Sequence, residues 1–420
     1  MEIDQTHWIF NQIDHRANWF IELLQQLVQI PSVNPPGNTT EIHNFVKSLL
    51  DQRQIRYKEY TPRDKNPNLV AILGTGKSPK LTFNGHYDTF PVEDAALWAD
   101  DPFSGSIRNG KLFGRGVSDM KAGDAAALGV FLMFLDEKVE FEGTLVLNLV
   151  SDEENGSRWG TWWLAANVPE ILGDACLIGE PVGVSTPLIG QKGPLWVRIK
   201  TLGNPMHGAY SDGRDAVWQM ARAIQAIQTL NDLTFSPPAE IADIVAQVKA
   251  KIRATGVGQD WWLERPSVNF GRISGGVKVN VIPSSCEIEL DIRVPFGTTK
   301  EVILKELETR LDSVSVNATY EVINGEKDRP NFTPWDDPFI KVVRSSIGLT
   351  TGKEAEPQIM PYFTDERVFR QFGIPTASCG PNEHNMGGTD EFVVIEEYLQ
   401  TVKVFALTAA KYCQAKICSF

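Results

Sequence analysis

The sequence predicts an α/β protein built as a mixed sheet flanked by helices, with a smaller α+β domain inserted into it. Three observations carry this expectation. The chain has 420 residues, more than one ordinary core accommodates. Short apolar runs, such as TLVLNLV at 144–150 and ACLIGEP at 175–181, alternate with helical patterns, as strands covered by helices do. The pattern then changes near Ile189 and returns near Pro334. Residues 1–188 and 327–420 are accordingly expected to form one domain, and 189–326 the insertion.

In chain order, apolar residues at helical spacing predict a helix over 8–28, stopped by IPSVNPPGN, and a second over 40–54. Strands at 68–73 and 80–84 flank GTGKSP. That loop ends like a phosphate-binding motif, but the required first glycine falls at Ala71, which leaves a turn. A hairpin around Asn109-Gly110 leads to GRGVSDMKAGD and an apolar helix over 122–135. Within the insertion, KGPLWVRIKTLG is a strand, 215–230 a helix and 236–266 a Pro-rich stretch. Two strands, a helix over 299–313 and a strand over 319–323 complete a β-α-β-β-α-β order, which describes a ferredoxin-like module. A helix over 339–347, a strand over 374–378 and a helix over 395–412 close the chain.

Composition narrows the function. Hydrophobic content of 42% and charged content of 22% belong to a soluble globular protein. A net charge of −13 argues against nucleic-acid and anionic-membrane partners. No run of about 18 apolar residues suggests a membrane span. MEIDQTHWIF carries acids where a signal peptide carries bases, and no apolar segment follows. The five cysteines are scattered without a CxxC pair, which speaks against a disulfide framework or thiolate zinc site and for a reducing cytoplasm.

The chemistry gathers at strand ends. In GHYD, His86 and Asp88 are two apart on an extended segment and share a side, as a metal-binding imidazole and an accompanying carboxylate would. A hydrogen-bonded structural histidine is the plainer alternative. SDEENGS sets Asp152, Glu153 and Glu154 in a row after an apolar strand, a repulsive arrangement unless a cation or proton relieves it. Glu180 ends the next strand, and Asp119 precedes a helix, where it could also serve as an N-cap. Ligands of open α/β sheets bind beyond the carboxyl ends of strands. Acids and an imidazole collected there suit one or two divalent metals, zinc foremost, with cobalt or manganese as alternatives.

Read together, GHYDTFP, FGRGVSDMKAG, SDEENGS, IGEP, MHGA, GGVKVNVIP and DIRVPFG make the chain resemble, over nearly its whole length, a family of metal-dependent deacylases and peptidases. That family includes acetylornithine deacetylase, succinyl-diaminopimelate desuccinylase and carboxypeptidase G. The resemblance implies a catalytic domain with an inserted dimerisation domain, and two divalent metal ions. His86 and Glu180 would bind one ion, Glu154 and a C-terminal histidine the other, with Asp119 bridging. Asp88 would orient His86, and Glu153 would be the general base. His207 would reach the active site of the partner in a homodimer, and Asn280 and Arg293 would bind substrate. The family's last ligand histidine precedes a DE pair, and that place falls here at Gly387; the nearest histidine is His384. The implied activity is hydrolysis of the amide of an N-acyl amino acid by a metal-activated water. A dipeptidase or carboxypeptidase is the alternative within the family. A catalytically silent amino-acid-binding or assembly subunit is the alternative outside it, against which intact Asp119, Glu153, Glu154 and Glu180 argue.

Overall fold

Thr144–Val150 is buried at every position, because its valines and leucines face covered surface on both sides of the sheet. In the computed structural model, which describes residues 5–256, 258–325 and 327–416, this strand pairs in parallel with Lys80–His86 and antiparallel with Asn68–Gly74. Lys80–His86 also runs parallel to Ala175–Ile178, and that strand parallel to Thr376–Ser378. Tyr57–Tyr60 adds an antiparallel edge to Asn68–Gly74. The sheet is thus mixed, and its parallel centre aims the carboxyl ends of four strands the same way. His86 ends one of them, Glu153 and Glu154 follow the second, and Glu180 follows the third.

The chain divides into two compact units, one of Met1–Ile189, Thr333–Gln358 and Thr364–Phe420, the other of Gly190–Phe332 and Ile359–Phe363. In the first unit the helix Ala122–Asp136 is buried from Ala122 to Phe134 and apolar there except for Asp124, as a helix enclosed between a sheet and other helices is. Phe405, from the closing helix Ile395–Tyr412, meets Phe83 of the sheet with ring centroids 4.8 Å apart. The expected first helix is two, Gln5–His15 and Ala17–Val28. Arg16 leaves helical geometry between them (φ −102°, ψ 11°), and its guanidinium pairs with Glu137. Apolar spacing could not mark that break, since Ile9, Ile13 and Phe20 stay in phase across it.

The second unit is a four-stranded antiparallel sheet in the order Ser267–Gly275, Ser285–Val294, Gly193–Leu202, Ala318–Asn324. Strand Ser285–Val294 alternates strictly between buried and half-buried residues. Its Ile288, Leu290 and Ile292 join Met220 and Ile227 of helix Ala216–Gln228 and Ile303 and Leu307 of helix Lys300–Ser313 in one core. This is the ferredoxin-like order, with one addition. The stretch expected only as Pro-rich contains the helix Ala239–Thr255, which buries Ile241, Ile244, Val245 and Val248 at helical spacing. Its flanking prolines disguised it: Pro238 stands at the N-terminal end, where proline is tolerated.

Among the described residues, no helix is long and apolar enough to cross a membrane. Cys176, Cys286, Cys379 and Cys413 are free and buried, whereas Cys418 lies outside the described residues.

Candidate metal centre

Lys80–His86 delivers His86 to the end of the sheet, with the residue 1% exposed. A Cβ on Gly85, just before it, would stand 2.0 Å from Asp124 Oδ1, so any side chain there would displace the buried Asp124 carboxylate. The Nδ1 atom of His86 lies 2.8 Å from the backbone carbonyl oxygen of Asp88. A carbonyl only accepts, so Nδ1 carries a proton, and Nε2 is the nitrogen turned towards the carboxylates. Around Nε2 stand Asp119 Oδ1 at 3.2 Å and Glu180 Oε1 at 3.8 Å. These three ligand atoms lie within 4.8 Å of one another.

Asp119 is not the cap of the following helix. It sits in extended geometry (φ −117°, ψ 101°) in the turn Val117–Lys121, which leaves its carboxylate for His86. Glu180 is placed by a close approach of two glycines: a Cβ on Gly179 would come within 2.3 Å of Gly123 Cα, at the start of helix Ala122–Asp136. Only bare backbone fits there.

The Asp88 carboxylate does something the sequence did not foretell. Its Oδ1 accepts from the backbone amide of Glu153 at 3.2 Å, and its Oδ2 from that of Glu154 at 3.1 Å and from Asn34 Nδ2 at 2.8 Å. The side-chain oxygen stays 3.7 Å from His86 Nδ1. Asp88 therefore steers the imidazole through its main chain and clamps the Glu153–Asn155 turn through its side chain.

Glu153 is almost fully buried, and burial pushes its carboxyl up to about 8, with Asp365 adding to the rise and His86 and Arg367 opposing it. Arg367 Nη1 stands 3.9 Å from Glu153 Oε1 and donates to the carbonyl of Thr364, while its Nη2 donates to that of Gly156. Asp365 accepts from Asn84, Ser157 and Thr161, tying this segment to the same turn. Burial, then Asp119, also raises Glu154 and Glu180 well above the usual carboxylate range. Burial disfavours the charged form of His86, but Asp119, Glu153 and Glu180 outweigh it and hold the imidazole well above its ordinary value.

Among the described residues, buried His86 Nε2, Glu153 Oε1, Glu154 Oε1 and Glu180 Oε1 have no hydrogen-bond partner. Unsatisfied carboxylates around an unpartnered imidazole nitrogen are what a divalent cation needs and what a stable apolar core avoids. The residues fit a metal.

His384 is not brought to this cluster. Its ring stacks on Phe392 at 4.4 Å, and its Nε2 stands 3.5 Å from Glu397 Oε2. Gly387, in the place of the family's last ligand, has φ +70° and faces the Phe90 ring. Of the DE pair that follows, Glu391 is fully buried and accepts four hydrogen bonds from the segment 115–119.

The remaining expected residues belong to the second unit. His207 is exposed, with Nδ1 accepting from the amide of Ala209 at 3.2 Å, and its segment bridges to Val281, next to the exposed Asn280. Arg293 donates from Nη2 to Asp291 at 2.7 Å and lies over the Phe363 ring at 4.7 Å, while its buried Nη1 has no hydrogen-bond partner among the described residues.

A mixed sheet presenting a buried imidazole and several buried carboxylates at its strand ends suits a metal-dependent hydrolase. The chain belongs to peptidase family M20/M25/M40, whose model matches residues 82–411. It is 35% identical to the succinyl-diaminopimelate desuccinylase of Rhodospirillum centenum over 92% of this chain and 95% of that one. It is 28% identical to the desuccinylase of Beijerinckia indica over 90% and 94%. Its fold resembles an M20 family metallo-carboxypeptidase from Sulfolobus solfataricus, with TM-score 0.77, 19% identity and coverage of 94% and 99%. The enzyme hydrolyses amide bonds.

Proposed function

We propose that the enzyme deacylates an N-acyl amino acid, with Arg293 and Asn280 as the residues that bind substrate. The observation that carries this reading is His86 Nε2, buried and unpartnered between Asp119 and Glu180, with the Glu153 carboxyl beside them. His86, Asp119 and Glu180 would hold one divalent ion. Asp119 and Glu154 would offer oxygens to a second, with His384 joining only if its loop moves. Zinc suits the imidazole-bearing position, and cobalt or manganese would also be accepted. Bound metal would polarise the amide carbonyl and lower the pKa of a water.

The chain's own residues supply the rest. Glu153 accepts the proton of the attacking water and passes it to the departing amine. Asp88 keeps the Glu153 turn in register through its two amide hydrogen bonds. Because His207 Nδ1 accepts from Ala209, the neutral ring carries its proton on Nε2 and can donate to a developing oxyanion. Arg293, stacked on Phe363 and oriented by Asp291, offers its unpartnered Nη1 to the substrate carboxylate, and Asn280 is a second candidate for binding substrate.

We further infer a homodimer in which His207 serves the partner's site. The edge strand Ser267–Gly275 and the segment after it support this reading, with Ile273 57% exposed, Val277 91% and Val279 101%. Four buried free thiols accord with a reducing cytoplasm.

The test is a panel of N-acyl amino acids and dipeptides offered to the zinc-loaded protein. Preference for N-succinyl or N-acetyl amino acids supports deacylation. Faster turnover of unmodified dipeptides would replace it with a dipeptidase. No turnover of any member by protein shown to hold metal would leave a silent binding subunit.

A further inference from the structure

The Asp119 turn is held by an ion pair that reaches across the chain. Phe392–Val394 pairs with Lys111–Phe113, which brings Glu391 against the segment beginning at Gly114. Glu391 Oε1 accepts from the amides of Ser118 at 2.8 Å and Asp119 at 3.2 Å. Its Oε2 accepts from the amide of Gly116 at 3.1 Å and from Arg115 Nη1 at 2.7 Å. One carboxylate thus binds the main chain of a metal-ligand residue and of two residues before it.

Arg115 continues the link. Its Nη2 donates to the carbonyls of Gly387 and Gly388, each at 3.0 Å, and its guanidinium lies 5.1 Å from the Trp98 ring. The side chains of Arg115 and Glu391 are 3% and 1% exposed. A buried ion pair adds little net stability over apolar packing of the same volume, so fold stability alone explains such a pair poorly. Geometry does better. The pair joins the turn that carries the bridging carboxylate to the turn that stands where the family keeps its last imidazole.

We propose that Arg115 and Glu391 are one positioning unit for the metal centre: Glu391 aims Asp119 at His86 and Glu180, and Arg115 locks the Gly387–Gly388 turn to the same frame. The proposal rests on the reading of His86, Asp119 and Glu180 as ligands. Neither Arg115 nor Glu391 touches the ion; both act through Asp119 and the turn.

Cobalt(II) is the probe, because its visible absorption reports ligand geometry as well as occupancy. Parent, Glu391→Gln, Arg115→Met and Arg115→Lys proteins are titrated with cobalt(II) against a competing chelator, and their spectra and melting are recorded. Glu391→Gln and Arg115→Met should bind cobalt roughly ten- to a hundred-fold more weakly, with a changed absorption band. Arg115→Lys should recover part of the affinity, since an ammonium can keep Glu391 but cannot also hold the glycine carbonyls, which the guanidinium reaches with its second nitrogen. Arg16→Met, which removes a pair distant in sequence from every ligand, should leave affinity and spectrum at the parent's values. If Arg115→Met does not fold, the Gln and Lys variants decide. Variants that melt lower but bind cobalt with the parent's affinity and spectrum would reduce the pair to packing and overturn the proposal. A parent that binds no cobalt would instead overturn the reading of the metal centre, and this proposal with it.

Discussion

His86 Nδ1 meets the main-chain carbonyl of Asp88 at 2.8 Å, closer than either carboxylate oxygen of that residue comes. The role expected of the Asp88 side chain thus falls to its main chain, which orients the imidazole, while the carboxylate holds the Glu153 turn.

Asp88→Ala separates them. The carbonyl survives, so metal affinity should stay near the parent's, while turnover should fall roughly ten- to a hundred-fold as the clamp on the Glu153 and Glu154 amides is lost. Metal titration and kcat measured on the same preparation check this. Loss of metal in step with activity would return the orienting role to the carboxylate.

The metal-free protein should lose stability as pH rises. Glu153, raised by burial from 4.5 to about 8, is neutral in the fold where it would be charged in the unfolded chain. The unfolded state gives up its proton first, so stability falls between about pH 4.5 and 8. Glu154 and Glu180 are shifted in the same direction. Melting of chelated protein at pH 5 and pH 8 should show the drop, Glu153→Gln should flatten part of it, and added zinc should restore stability at pH 8.

Gly179→Ala should be severe for its size. The new Cβ meets main-chain atoms of Gly123 at 2.3 Å, which cannot rotate away. A loss of about 3 kcal/mol in denaturant unfolding is expected, together with weaker metal binding as Glu180 shifts. Parent-like stability would mean that the two segments have room to part.

His384→Ala should leave metal content unchanged, because the ring is stacked on Phe392 and Arg115 anchors the glycine turn that follows it. Metal analysis beside the parent checks this. A fall in bound metal would show that the loop carries His384 to the second position.

Much of this centre was legible in the sequence because its parts stand at the ends of apolar strands: His86, Glu153, Glu154 and Glu180 needed only a parallel sheet to converge. What supports them was not legible. Arg115 and Glu391 are 276 residues apart and meet only through a three-stranded side sheet, so no local pattern joins them. Asp365 and Arg367 reach the Glu153 turn from the far end of the chain by tertiary packing alone. The helix Ala239–Thr255 could have been found from Ile241, Ile244, Val245 and Val248, had the surrounding prolines not masked their spacing. The position of His384 depended on a loop that glycine leaves free to turn either way.

The central claim is that Glu153 is the base and its neighbours are the ligands, and Glu153→Gln tests it most directly. The amide keeps the size of the side chain but cannot accept the water's proton. The account predicts the parent's zinc content and fold, with turnover of an N-acyl amino acid reduced roughly a hundred- to ten-thousand-fold. A variant that loses zinc while keeping most of its turnover per bound metal would contradict it.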